Sequence, residues 1–333
     1  MKLSNSSLDL YNMCPRKWKF RYVDKYRSPK IPSPLFFGSA LDESFSLLLS
    51  TKKEELTEME LTLQLTKTAE EVFHDKMLVV EHNKATVELA QSPFADYYGS
   101  DFSPELIGNS QVKLLQTLEP AYKLTDFIDF HLQCKEQIAG SKKLYPDDQV
   151  LFNYMSWLSM VEKGKLMVDA YRQQIMPQIH KVYDIQKPIS LKNEDGDEIR
   201  GLIDFTCSFT DSPSVKYVSD NKTSSKPYSA DSVEKSQQLS VYCEAESLQT
   251  AAYVVVEKKL FKRVPFIRTS VIKDIISEET FKKTFDNFEK VCYNIEAENF
   301  PKNESSCFAF GRICEFYSIC KHNSYDGIVK LKD

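Results

Sequence analysis

The strongest constraint on how this chain can fold is a change of texture at Met176-Pro177. Before it, from about Glu54, apolar residues recur mainly at helical spacing, with a turn-rich interruption over residues 92–110. After it the pattern is that of strands. KVYDIQKPISL and EIRGLIDFTCSF are joined by the turn sequence NEDGD, and a second turn, TDSPS, leads into VKYVSDNKT. A helix is expected over about Ser232–Leu248, then two more strand-like runs, AAYVVVEKK and FIRTSVI, and a helix from about Ser277 to Glu298. Three strands in a meander, a helix, two strands and a helix make an α/β core.

Ahead of that core, residues 4–23 read as helical, with Ser4, Asn5 and Ser6 as candidate N-caps and a break or restart at Pro15. After the connector SPKIPSP, the run FFGSALDESFSLLL reads as a helix entered through Gly38 and Ser39. The expected organisation is therefore N-terminal helices over 1–53, a helical insertion over 54–178, the α/β core over 179–298 and a loop-like tail over 299–333.

With 333 residues, 42% of them apolar, the chain can bury a sizeable core. The start lacks the layout of a signal peptide, and no stretch approaches the roughly 18 uninterrupted apolar residues of a membrane span, so a soluble, cytoplasmic protein with no membrane partner is the expectation. A net charge of -5 gives no global attraction to nucleic acid, so any such binding must be local. One basic patch offers it: Arg16, Lys17, Lys19 and Arg21, continuing to Lys30 and interleaved with Trp18, Phe20, Tyr22 and Tyr26. It reads either as the solvated face of a helix or as a contact for a DNA backbone.

The chemistry concentrates in two places. Asp204 lies on the second expected strand, and Asp220 and Lys222 on the third, where alternation puts those two on one face. Two carboxylates and an ammonium there suit a divalent cation, Mg²⁺ or Mn²⁺, with Lys222 placed to position a water or stabilise developing negative charge. Gln238 and Tyr242, four apart in QQLSVY, share a helix face nearby, as a packing face or as part of the site. The second place is the cysteines. Of eight, Cys307, Cys314 and Cys320 crowd the tail at C-x6-C-x5-C spacing, with Cys14 near the other end. Four thiolates satisfy an iron–sulfur cluster or a tetrahedral zinc site. The five histidines show no metal-ligand spacing, and no Walker-type phosphate loop is present.

The runs GLID, SDNKTSS and QLSVY resemble the second, third and Q-x-x-x-Y motifs of the RecB-like branch of PD-(D/E)XK nucleases, which includes CRISPR adaptation and phage recombination exonucleases. The first motif of that branch, G-x-x-x-H-E, is matched by Gly38-Ser39-Ala40-Leu41-Asp42-Glu43, with Asp42 where the histidine stands. The resemblance implies a restriction-endonuclease-like mixed sheet flanked by helices. It implies Asp42, Asp204, Asp220 and the backbone carbonyl of Asn221 as ligands for Mg²⁺ or Mn²⁺, with Lys222 as the catalytic lysine and Gln238 and Tyr242 as supporting residues. The split of one early and three late cysteines is similar to cluster-bearing members, implying a [4Fe–4S] cluster, although C-x6-C departs from the C-x2-C of several of them. The implied activity is exonucleolytic hydrolysis of single-stranded DNA ends in recombination, repair or replication, beside a helicase or single-strand-binding protein, in a bacterial cell or phage-infected host. The alternative is a catalytically silent DNA-binding subunit. Tyr97, Tyr98 and Phe102 in the insertion could stack on bases or pack within their own loop.

Overall fold

A computed structural model of the chain describes residues 1–27, 33–53, 163–258, 267–309 and 313–331. Most of the expected helical insertion, with Tyr97, Tyr98 and Phe102, lies outside them, as does Lys30. The core elements follow the expected order: β3 (Ile179–Lys192), β4 (Glu198–Phe209), β5 (Ser212–Ser224), α4 (Gln237–Ala245), β6 (Thr250–Glu257), β7 (Thr269–Ile275) and α5 (Glu278–Glu296). Ahead of them come β1 (Lys2–Ser4), α1 (Asn5–Met13), α2 (Pro15–Tyr22), β2 (Tyr26–Arg27) and α3 (Ser33–Lys53). Behind them are α6 (Tyr317–His322) and β8 (Val329–Lys330).

Local chemistry sets several boundaries. The side chain of Ser4 caps α1 by accepting the Ser7 N–H, and Pro15 opens α2, where its missing N–H costs nothing. Helix α3 begins at Ser33, five residues before the expected entry at Gly38, because Pro34 suits a first helical turn. Helix α4 is shorter than expected, since Ser236 caps it and residues 230–232 form a separate 3-10 turn. In the NEDGD turn Gly196 takes φ +81°, and the Asn193 side chain accepts the Asp197 N–H.

Six strands form one mixed sheet in the order β1-β4-β5-β6-β7, with β3 also paired to β4. The β3–β4–β5 meander is antiparallel, β5–β6 is parallel and β6–β7 antiparallel. The short strand β1, absent from the sequence reading, runs parallel to β4 at Glu198–Arg200. Helices cover both faces. On one, α3 and the segment 163–176 enclose Phe45, Leu49, Met167, Tyr171, Phe205 and Val254. On the other, α1, α2, α4 and α5 enclose Leu8, Trp18, Ile203, Leu239, Val255 and Phe288. Each such side chain contributes about 1.5–3 kcal/mol on burial, so both faces of the sheet are anchored. The architecture is the mixed α/β arrangement, helices flanking a mixed sheet, that a restriction-endonuclease-like fold requires.

The tail is less loop-like than expected, because it is bound to the N-terminal helices. Strands β2 and β8 pair antiparallel, and the Asn303 amide donates to the Met13 carbonyl at 2.7 Å. Trp18 stacks on Phe300 at 5.9 Å between ring centroids and donates its indole N–H to Ser7. No helix of the described residues is long and apolar enough to cross a membrane.

Candidate active site

The site is built where two strands part. Strands β4 and β5 pair from Phe209↔Ser212 to Phe205↔Ser219 and no further, while β5 continues along β6 from Val218 to Ser224. On that edge of β4, residues 201–204 lie between the partners β1 and β5. Asp204 is the first residue past the fork. Its carboxylate Oδ2 accepts the Asn221 N–H at 2.8 Å, taking the place of the ladder partner that the divergence removes.

Asp220 and Lys222 share the face of β5 that looks toward α1, α4 and α5, as alternation requires. Asn221 points the other way, where the Tyr171 hydroxyl donates to its side-chain oxygen at 3.1 Å. Asp42 reaches the same region from α3, where the side-chain amide of Gln186 donates to it at 3.2 Å. The fork thus brings carboxylates from both layers of the fold together.

Electrostatics reports the crowding. Burial raises Asp204 well above the usual carboxylate range, and the neighbouring charges of Asp220 and Asp42 push the same way. Asp42 is raised by burial and by Asp220, against a lowering contribution from the Gln186 hydrogen bond. Asp220, 2% exposed, is raised by burial against the attraction of Lys222. Burial alone would lower the Lys222 ammonium, but Asp220 outweighs it and the group is raised, so it stays charged. Lys222 Nζ lies 2.6 Å from Asp220 Oδ2, so the buried carboxylate has the ammonium as its partner.

Lys222 is also held from the helix side. Its ammonium donates to Gln238 Oε1 at 2.9 Å, and Gln238 Nε2 donates to the Tyr242 hydroxyl at 2.9 Å. The Tyr242 ring, 3% exposed, lies over the backbone of Gly201: a Cβ there would sit 2.4 Å from Tyr242 Cε1. Gly201 is needed for this close approach. Gln238 and Tyr242, expected on one helix face, are therefore joined to the lysine in one hydrogen-bonded chain.

The sequence matches the family model of the PD-(D/E)XK nuclease superfamily over residues 2–104 and 117–321. The chain belongs to the PD-(D/E)XK nuclease superfamily. A solved structure entitled "Crystal structure of SSO0001" is similar at 15% identity, covering 65% of this chain and 97% of its own, with a TM-score of 0.29. No curated protein matches the chain. Members of the superfamily are generally hydrolytic nucleases.

Such nucleases usually use Mg²⁺ or Mn²⁺, and Asp42, Asp204 and Asp220 are of the hard-oxygen type that such a cation takes. Burial raises all three acids, and the charge of Asp220 adds to the rise at both Asp204 and Asp42. Among the described residues no group of three or more His, Cys, Asp or Glu side chains is arranged, as it stands, to hold a metal ion. The counter-charge to Asp220 is the Lys222 ammonium.

Cys14, Cys307, Cys314 and Cys320 line one pocket together with Arg16, Lys17, Lys302 and Lys321. All four are free thiols, and the Cys314 N–H donates to the Cys307 carbonyl at 2.8 Å. The basic patch divides. Arg16 and Lys17 face this pocket, with Arg16 Nε buried and without a hydrogen-bond partner. Lys19 pairs with Asp24 at 2.6 Å, and Arg21 with Glu315 at 3.2 Å, which ties α2 to the tail.

Three residues near the fork carried no signal in the sequence reading. Tyr171 starts a π-turn, Tyr171–Ile175, and its fully buried ring stacks on Phe45 at 4.2 Å. Asp9 on α1 lies within the electrostatic reach of Lys222; burial raises it, and Lys222 counters that. Gln186 sits mid-strand among residues of ordinary strand type, and only its backbone conformation, φ +50°, marks it.

Proposed function

We propose that this chain is a metal-dependent DNA exonuclease of the RecB-like branch, hydrolysing phosphodiester bonds from ends of single-stranded DNA in recombination, repair or replication. The observation that carries the reading is the buried Asp220–Lys222 ion pair, 2.6 Å apart, beside Asp204 at the strand fork. Asp42, Asp204, Asp220 and the Asn221 carbonyl would hold Mg²⁺ or Mn²⁺. When bound there, the cation polarises the scissile phosphate and lowers the pKa of a water.

The chain's own groups do the rest. The Asn221 N–H holds Asp204 in one orientation. Gln238, itself held by Tyr242, keeps the Lys222 ammonium at the edge of the carboxylate group, where it can orient the attacking water and stabilise charge developing on the phosphate. The Asp220 carboxylate beside it favours its charged form, which suits electrostatic stabilisation.

The four pocket cysteines would hold a [4Fe–4S] cluster once their thiols turn to one point, and such a cluster would close the N-terminal helices onto the tail. Arg16 and Lys17 then face the negative charge of the thiolate set, and Arg16, Lys17, Lys19 and Arg21 together would be the DNA-backbone contact, Lys19 and Arg21 after exchanging Asp24 and Glu315 for phosphate. The test is degradation of end-labelled single-stranded DNA by anaerobically purified protein, with iron and sulfide determined on the same sample. Metal-dependent loss of label is expected, and intact DNA under every metal condition would refute the assignment.

A further inference from the structure

Among the described residues, five non-glycine residues have positive φ: Lys25, Gln186, Ser247, Glu298 and Asn323. Four follow the ends of helices, where left-handed backbone is common. Gln186 does not. It lies inside β3, directly opposite Asp204, since Ile185 pairs with Phe205 and Lys187 with Ile203. The sheet also turns over at this point. In β4, Ile203 packs in the core under α1 and α4, whereas Phe205, two residues on, packs in the core under α3. In β3, Ile185 and Ile189 divide in the same way. Residues two apart in a strand share a face unless the strand twists sharply between them.

The side chain of Gln186 uses this position. Its amide nitrogen donates to Asp42 Oδ2 at 3.2 Å and to Ser46 Oγ at 3.3 Å. Asp42 and Ser46 are one helical turn apart on α3, so a single amide spans both and ties the helix to the strand opposite Asp204. A carboxylate acceptor requires the nitrogen, not the oxygen, of the amide on this side. Strained backbone held by its surroundings and aimed at a charged group is a feature of functional sites rather than of ordinary strands.

We infer that Gln186 is a positioning residue of the metal centre: its amide fixes one oxygen of Asp42 and leaves the other for the cation. The left-handed backbone of Gln186 is the conformation that lets it reach. An aspartate has no second ring nitrogen through which to be oriented, as an imidazole ligand has, so an outside donor takes over that task. The inference rests on the metal-dependent reading of the fork proposed above.

The test compares the full-length protein with Gln186→Gly, which removes the amide but suits a positive φ, and with Gln186→Asn, which also accepts left-handed backbone but falls one methylene short. Mn²⁺ affinity is measured by titration without DNA, alongside thermal unfolding and steady-state cleavage of single-stranded DNA. Both variants should bind Mn²⁺ about 10-fold more weakly, in the range for loss of a group that orients a ligand. They should unfold at wild-type temperature or above, with an unchanged KM for DNA and a kcat that recovers as Mn²⁺ is raised. In an Asp42→Asn background, Gln186→Gly should cost nothing further. Wild-type Mn²⁺ affinity in both variants, while Asp220→Asn abolishes binding, overturns the positioning role alone. Failure of the wild type itself to bind Mn²⁺ overturns the metal reading and this inference with it.

Discussion

Gly201→Ala tests the coupling between packing and chemistry at the fork. A Cβ at this position would sit 2.4 Å from Tyr242 Cε1 and 3.2 Å from both Tyr242 Cζ and Ile189 Cδ1. Ordinary van der Waals contact begins near 3.4 Å, so the Tyr242 ring or the β4 backbone must yield by about 1 Å. Neither is loose: Tyr242 is 3% exposed, and Gly201 is paired with Ile189 in the sheet. Overpacking of a filled core costs roughly 1–3 kcal/mol. The ring's hydroxyl holds Gln238, and Gln238 holds Lys222, so the displacement passes to the ammonium. A misplacement of ~1 Å at a reacting group can cost on the order of 100-fold in rate. Thermal unfolding and steady-state DNA cleavage are the assays. The expected result is a Tm lowered by several degrees and a kcat lowered ~10- to 100-fold, with Tyr242→Ala relieving much of the Gly201→Ala stability loss by removing the clash. Full activity with an unchanged Tm in Gly201→Ala would refute the transmitted-strain argument.

Other perturbations follow from the same geometry. Lys222→Met removes the counter-charge of the buried Asp220 and should destabilise the metal-free protein by roughly 3 kcal/mol, at the low end for breaking a buried pair because Lys222 is still 26% exposed. Mn²⁺ should restore part of that loss in a thermal scan, and no effect of Lys222→Met on metal-free stability would contradict the ion contact. Asp204 and Asp42 have pKa values raised above those of an unfolded chain, so the folded state binds more protons in the window above the usual carboxylate range. In EDTA their contribution is therefore a loss of stability as pH rises through that window. Asp204→Asn should flatten the wild-type profile there, and an unaltered profile would argue against the shift. Cys14→Ser should abolish iron retention and loosen both termini, read as faster proteolysis of α2 and the tail; retention of full iron content would remove Cys14 from the ligand set.

Much of the fold was legible because local signals agreed with the final arrangement. NEDGD and TDSPS mark the two turns of the meander, and Ser236 and Ser277 cap the helices that follow. β1, β2 and β8 were not, because strands of two or three residues carry no period and exist only through distant partners. The site divides in the same way. Asp220 with Lys222, and Gln238 with Tyr242, stand at spacings fixed by one strand and one helix, and the hairpin turn between the strands brings Asp204 alongside the first pair, so those proximities could be argued from sequence. Gln186, Asp9 and Tyr171 approach through tertiary contacts that no local pattern encodes, and the Gln186 backbone conformation opposes its own residue preference. The basic patch shows the converse limit: charge was visible in the sequence, but the pairing of Arg21 with Glu315, 294 residues away, was not.

The central claim, a strand fork that hydrolyses DNA with a divalent cation, is tested most directly by incubating end-labelled single-stranded DNA with anaerobically purified wild-type protein and Lys222→Ala, each with Mg²⁺, Mn²⁺ or EDTA. The account predicts release of labelled product by the wild type with Mg²⁺ or Mn²⁺, none in EDTA, and a loss of at least ~100-fold in Lys222→Ala. Intact DNA in every sample, with the DNA still bound, would contradict it and leave a DNA-binding protein without cleavage.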